Sequence, residues 1–259
     1  MPPKRSARLL NISSVYGKNY FEKLENVRNF FRRHRFALLP TLLDSGTASN
    51  WADLCKNLLT KYGIHIERKV SGKRLSYTVV TGEIIRQHAS EIYNFYRSRA
   101  MRNLIRWITG AGKIYASRHL RSSININYLH KPRHVYRWHF DAEPYSSILF
   151  LASLNREDGG ALRIRPVEKG ASKNSSNTVK TRRGRVISIK PEAGSLVIMD
   201  GTVCAHSVAS LRKECNRITL AMVHPNVLGR PRPEKLDEYL YDNTVTDEEF
   251  HGDPNLPRR

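Results

Sequence analysis

The sequence predicts an α+β protein in which helices pack around a double-sheet β core. Three observations carry that reading. Apolar residues recur at helical spacing through much of the first 117 residues. After Ser117 the texture changes to short alternating or apolar runs of strand type. Gly, Pro, Asn and Asp separate those runs, as in a sandwich or barrel.

Residues 16–35 place Tyr20, Leu24, Val27, Phe30 and Phe31 near one helical face. FALLPTLL reads as a short buried strand that ends at Pro40. Asp44, Ser45 and Thr47 offer N-caps for a helix through about Tyr62, with Trp51, Leu54, Leu58 and Leu59 as its apolar stripe. Residues 64–80 alternate around SGK and predict a hairpin. EIIRQHASEIYNFYRS and AMRNLIRWIT follow as helices, closed by Gly110 and Gly112. Beyond Ser117, SININYL, YRWHF, SSILFLASL, GGALRIRPV, RVISI, GSLVIMDG and RITLAMVHP are the strands. The polar, basic stretch 168–185 reads as a loop or lid between strands. The whole chain, 1–259, is expected to be one domain: a mainly helical part at 1–117, the core at 118–226 and an acidic tail at 227–259.

The formal net charge is +21, from 44 Lys and Arg against 23 Asp and Glu. Basic residues crowd the segment up to Arg35 and the stretch Arg163–Lys190, so a nucleic acid or another acidic partner is one expectation. No nucleic-acid motif of known spacing occurs, and the aromatics do not interleave with the basic runs. No run of 18 apolar residues is present, which excludes a transmembrane helix. The start, MPPKRSARLLNISS, lacks the apolar centre of a secretory signal, although its basic, acid-free character also suits a mitochondrial presequence. Cys55, Cys204 and Cys215 are too few and too scattered for a disulfide framework. The expected location is the cytoplasm; the sequence sets no oligomeric state.

The chemistry centres on WHFD, residues 138–141. In a strand, positions i and i+2 share a face, so His139 and Asp141 lie side by side. His206, in the next strand after GSLVIMDG, offers a third ligand. Two His and one carboxylate form the facial triad of non-heme iron oxygenases. A surface pair at His139 and Asp141 and a satisfied core histidine at His206 are the plainer alternatives. Zinc held by His130, His134 and His139 is set aside, because one strand cannot present all three together. Arg217 lies eleven residues after His206, where a return strand would bring its guanidinium to the same pocket.

HFD, then DGGALRIRP, then KPEAGSLVIMDG, then His206 and Arg217 resemble the Fe(II)/2-oxoglutarate-dependent dioxygenases. The order fits that superfamily's HxD, Gly-Gly segment, Pro-x-x-Gly strand entry, distal His and following basic residue. The nearest likeness is to the prolyl-4-hydroxylase-like branch, with a weaker one to free amino-acid hydroxylases and halogenases. The motifs cover about residues 120–225, and FALLPTLLDSGTASNWADL looks like the family's strand–helix entry.

The resemblance implies a double-stranded β-helix, or jelly roll, with N-terminal helices packed against it. It implies Fe(II) on His139, Asp141 and His206, and 2-oxoglutarate with its far carboxylate on Arg217, helped by Thr219. Tyr128, Asn125 and Asn127 are the candidates for an additional cosubstrate contact. It further implies O2 as oxidant, with ascorbate as the reductant in vitro. Halogenases of the superfamily have a small residue at the position of Asp141, so its presence implies hydroxylation, with desaturation or cyclisation as other outcomes. The expected reaction is hydroxylation of an unactivated C–H bond in a free amino acid or similar small metabolite. The alternatives are a hydroxylase or demethylase of a protein or nucleic-acid side chain, and a non-catalytic jelly-roll binding module. Glu143, in phase with the ligands, is a candidate substrate contact, with Trp138, Arg121 and Arg74 beside it. Trp138 and Tyr136 are expected on the Phe140 side of the strand.

Overall fold

The computed structural model describes residues 20–70, 73–165, 186–228 and 236–242. The basic stretch expected as a lid at 168–185 lies outside the described residues.

The first helix among the described residues, α1 (Tyr20–His34), buries Leu24 and Phe31 and leads into β1 (Phe36–Leu39). Helix α2 (Ser45–Tyr62) starts where the Asp44 carboxylate accepts from the Thr47 amide at 2.8 Å, which satisfies one of the free amides of the first turn. The hairpin is β2 (Ile64–Val70) and β3 (Lys73–Val80). Three helices follow: α3 (Gly82–His88), α4 (Ser90–Arg97) and α5 (Arg99–Thr109). The expected long helix over EIIRQHASEIYNFYRS breaks at Ala89 (φ −135°, ψ 58°), where no Gly or Pro signals it. Gly110 ends α5 in the left-handed region, φ 73°, which glycine adopts without steric cost.

A short helix, α6 (Leu120–Ser123), precedes the strands β4 (Ile124–Leu129), β5 (Tyr136–His139), β6 (Tyr145–Phe150), β7 (Leu162–Arg165), β8 (Ile187–Ile189), β9 (Leu196–Asp200), β10 (Ala205–Val208) and β11 (Arg217–His224). The last helix among the described residues, α7 (Leu236–Tyr241), lies within the stretch expected as an acidic tail.

The strands form two antiparallel sheets, a jelly-roll core. The larger has the order β1-β9-β6-β11-β4-β3-β2, and the smaller β5-β10-β7-β8. Strand alternation divides the larger sheet's residues between two cores. On β11, Ile218, Leu220 and Met222 pack with Trp51, Tyr96, Ile105 and Ile108 of the helical layer. The opposite face turns to the smaller sheet, where Phe150, Val197 and Met199 meet Leu162 and Ile164. A third cluster joins Leu129, Val208 and Leu211 to Ile66, Leu75 and Tyr77 of the hairpin and to Tyr241 of α7. Both faces of β11 are thus covered, so RITLAMVH is nearly continuous in apolar character. Its inward register places Arg217 and Thr219 between the sheets.

Candidate metal centre

β5 and β10 pair antiparallel with His139 directly opposite His206, so both imidazoles emerge from one face, 4.1 Å apart between ring centres. His139 Nδ1 lies 2.9 Å from the Arg137 carbonyl and His206 Nδ1 3.1 Å from the Cys204 carbonyl. A carbonyl only accepts, so each Nδ1 carries the proton and each Nε2 keeps its lone pair for a ligand. Asp141 follows β5, and its Oδ1 lies 3.6 Å from both Nε2 atoms. That is too long for good hydrogen bonds and short enough to share one ion. Among the described residues these three form the one cluster of His, Cys, Asp and Glu whose ligand atoms lie within 4.8 Å of one another. Burial, with His206 alongside, holds the His139 pKa down to about 3. The imidazole is therefore neutral and able to coordinate at ordinary pH.

Two glycine features shape this centre. The Asp141 amide donates to the Gly201 carbonyl at 2.8 Å, and a Cβ on Gly201 would collide with the Asp141 carboxylate. Gly159 and Gly160 both have positive φ, 79° and 68°, and a Cβ on Gly160 would lie 3.1 Å from Arg217 Cδ. The Gly-Gly segment thus turns the chain and clears room for an arginine.

That arginine is fully enclosed, with 2% of its surface exposed. Arg217 Nε donates to the Gly160 carbonyl at 2.7 Å, and the guanidinium lies 5.5 Å from the Phe150 ring centre. Its Nη2 is buried with no hydrogen-bond partner among the described residues. Burial lowers its pKa to about 10, so it stays charged at neutral pH. A buried cation with an unmet donor calls for an anion, and a carboxylate matches the guanidinium fork. Thr219 shares the Arg217 face and is also buried. Asn127 sits opposite Thr219, so it stays on the pocket side.

Several candidates fall elsewhere. Tyr128 pairs with Ile218 in register and therefore points to the helical side, away from Arg217; its hydroxyl donates to Asn216 at 2.6 Å. Asn125 is on the right face but occupied, donating to the Arg121 carbonyl and accepting from the Tyr241 hydroxyl at 2.9 Å. Arg121 pairs with Asp242 at 3.0 Å, so a carboxylate of the chain itself takes the place expected for a substrate's. Trp138 lies on the outer face, with Arg163 and Arg165 at 5.3 and 4.4 Å from its ring. Arg74 stands opposite Lys69 in the hairpin, and its side chain is outside the described residues. Glu143 is buried in the turn between β5 and β6.

Tyr136 corrects the alternation argument. Pairing of β10 with β5 shifts between His206 and Val208, a bulge-type irregularity. The shift brings the Tyr136 ring to 4.8 Å from His139 and 4.8 Å from Tyr77, instead of to the Phe140 side. Arg137, Arg68, Tyr239 and Tyr241 also gather around Tyr77 and Tyr136. The sequence holds no periodic signal for them, because they come from the hairpin, β5 and α7.

A jelly roll with this triad and this buried arginine defines the class of Fe(II)/2-oxoglutarate-dependent oxygenases, and the residues present fit both groups. A family model described as Halogenase D matches residues 20–229, and the chain belongs to that family. Similar solved structures include AviO1 from Streptomyces viridochromogenes Tue57, at 16% identity and a TM-score of 0.61, covering 81% of this chain and 97% of that one. The non-heme α-ketoglutarate-dependent epimerase SnoN from nogalamycin biosynthesis is 13% identical with a TM-score of 0.58, covering 79% and 83%. EctD from S. alaskensis, solved with 2-oxoglutarate and 5-hydroxyectoine, is 14% identical with a TM-score of 0.55, covering 80% of each chain. At these identities the likeness is one of fold. No curated protein matches the chain. No helix among the described residues is long and apolar enough to cross a membrane.

Proposed function

We propose that this protein is a hydroxylase acting on an unactivated C–H bond of a free amino acid or similar small metabolite. The observation that carries the choice of hydroxylation is Asp141, which supplies the third protein ligand beside His139 and His206. A halogenase of this fold leaves that position to a halide. When bound, Fe(II) would activate O2, the oxidant, while 2-oxoglutarate is oxidised to succinate and CO2; one oxygen atom of O2 goes to succinate and the other to the product.

The chain's own residues do the rest. His139, Asp141 and His206 hold the ion, and the two backbone carbonyls fix the tautomer of each imidazole. Arg217 binds the far carboxylate of the cosubstrate, with Thr219 and Asn127 beside it. The apolar cluster around Phe150, Leu162 and Ile164 keeps water from that end. A small-molecule substrate agrees with the 5-hydroxyectoine present in the EctD structure. A single domain and a cytoplasmic location belong to the same reading.

A second reading is favoured by one feature: Trp138, flanked by Arg163 and Arg165 on the outer face of a chain of net charge +21. There the substrate is a side chain of a nucleic acid or acidic protein. Salt separates the two, since a polyanion-binding enzyme loses affinity steeply as salt rises. The direct test is a metabolite screen with Fe(II), 2-oxoglutarate, O2 and ascorbate, reading succinate by mass spectrometry. A free amino acid or small metabolite that raises succinate above the uncoupled rate is the expected result. Stimulation only by nucleic acid or protein would overturn it.

A further inference from the structure

The outer face of the smaller sheet carries a cluster that the metal centre does not use. Neighbouring residues on a strand face opposite ways, so His139 and His206 turn inward while Trp138 and Ser207 turn outward. On β7 the outward residues are Arg163 and Arg165, because Leu162 and Ile164 lie in the core. They stand opposite Ser207 and Ala205 of β10. Both of those side chains are small, so the two arginines lie across β10 and reach the indole on β5. Their guanidinium carbons are 5.3 and 4.4 Å from the Trp138 ring centre. Arg163 Nε donates to Ser207 Oγ at 3.1 Å, which fixes its course across the strand. The basic run Arg163–Lys190 contains no aromatic residue of its own, and the strand order β5-β10-β7 supplies one.

Neither arginine forms an ion pair among the described residues. Arg165 is exposed, and Trp138 and Arg163 are half-buried. Burial, with the charge of Arg165 alongside, lowers the Arg163 pKa. Two like charges are thus held against one ring, whose face offsets part of their repulsion. An anion offsets more. The helical layer packs on the larger sheet, so it leaves this face of a four-stranded antiparallel sheet open.

Three features select the anion. Guanidinium forks match the oxygens of a phosphate. Indole and guanidinium planes on a sheet face are surfaces on which bases stack. A net charge of +21 attracts a polyanion. An acidic peptide meets the first and third of these and makes no use of the second. A duplex keeps its bases stacked on one another, out of reach of these planes.

We infer that the outer face of the smaller sheet, at Trp138, Arg163 and Arg165, is a docking surface for single-stranded nucleic acid. The arginines take backbone phosphates, and a base stacks on the indole–guanidinium group. The sheet separates the bound strand from His139 and His206, so the nucleic acid is a partner held outside the pocket and not the substrate. The inference goes beyond the proposed function and holds for whichever small molecule the pocket oxidises.

The test is fluorescence anisotropy of a labelled oligodeoxythymidylate of about twenty nucleotides, long enough to span one binding site. It is titrated with the full-length, Fe(II)-loaded protein over a range of salt. Wild type is expected to bind, with log affinity falling linearly against log salt. Arg163→Gln and Arg165→Gln should each flatten that slope by about 0.7, the value for one phosphate contact to a single strand. Trp138→Ala should weaken binding about tenfold or more, and Trp138→Phe should keep most of it. Arg97→Gln removes an arginine stacked on Tyr93 in the helical layer and should leave slope and affinity as in wild type. Fe(II) binding on the same samples shows that each variant is folded. No binding by wild type at low salt overturns the surface. So do Arg163, Arg165 and Trp138 variants equal to wild type, or an equal loss in Arg97→Gln, which would leave net charge as the only cause. Polyglutamate, anionic lipid vesicles or a duplex competing as well as the unlabelled single strand at equal charge would overturn the choice of partner.

Discussion

The backbone amide of Asp141 donates to the carbonyl of Gly201 at 2.8 Å, and the missing side chain of Gly201 is what lets the Asp141 carboxylate reach the two histidines. Gly201 has no left-handed backbone, so its role is space alone. Gly201→Ala should displace the carboxylate and weaken Fe(II) binding by about 10- to 100-fold, the range for losing a group that orients a metal ligand. Fe(II) titration measures this. An affinity equal to wild type would mean that Asp141 is not held through Gly201.

His139→Ala and His206→Ala each remove one of the three protein ligands. Fe(II) binding should weaken strongly and 2-oxoglutarate turnover should be lost in both. Turnover like wild type in either variant, measured as succinate, would rule out the triad.

Arg217→Ala should act on the cosubstrate and not on the metal. A desolvated charge-assisted pair contributes roughly 2–3 kcal/mol, so the apparent 2-oxoglutarate affinity should fall about a hundredfold. Fe(II) affinity should change little, because Arg217 bonds only to the Gly160 carbonyl among the described residues and not to a ligand. An unchanged KM for 2-oxoglutarate would move that role to another basic residue.

His224 gives a pH prediction away from the metal. It is fully buried under the helical layer, its ring 5.0 Å from that of Tyr96, and burial holds its pKa down to about 3. The unfolded chain binds a proton at this residue below about pH 6.5, whereas the folded chain resists doing so. Its contribution is thus present above about pH 6.5 and is lost as pH falls from there toward 3, at up to about 1.4 kcal/mol per pH unit. Urea unfolding of wild type and His224→Gln at several pH values should show a shallower acid decline in the variant. Parallel declines would contradict it.

Much of this molecule is legible in its residues, and the illegible parts share a cause. Asp44, SGK between two alternating runs, and Gly110 announce their helix start, hairpin and helix end, because each acts within a few residues of itself. Strand alternation puts His139 and Asp141 on one face, and the order of HxD, the Gly-Gly segment and Arg217 relates them through the family resemblance. Alternation misplaces Tyr136 because a shift in pairing leaves no mark in composition. Tyr128, a candidate from the family resemblance, lies on the other face from Arg217, because the pairing of β4 with β11 sets its phase. Arg121 and Asn125 look free for ligand until Tyr241 of α7 and Asp242 just after it arrive from more than a hundred residues away. An acidic tail gives no sign that Tyr239 and Tyr241 will be buried.

The most direct test of the central claim is the mass of the product formed by the wild-type enzyme in chloride buffer, with Asp141→Gly run beside it. The account predicts that wild type adds one oxygen atom to its substrate and no chlorine, since Asp141 occupies the position a halide would take. It predicts that Asp141→Gly loses most of this hydroxylation, with at most a trace of chlorinated product, because halide binding also needs donors aimed at the vacancy. A chlorinated major product from wild type would contradict the account, and with it the assignment of Asp141 as the carboxylate ligand of the iron.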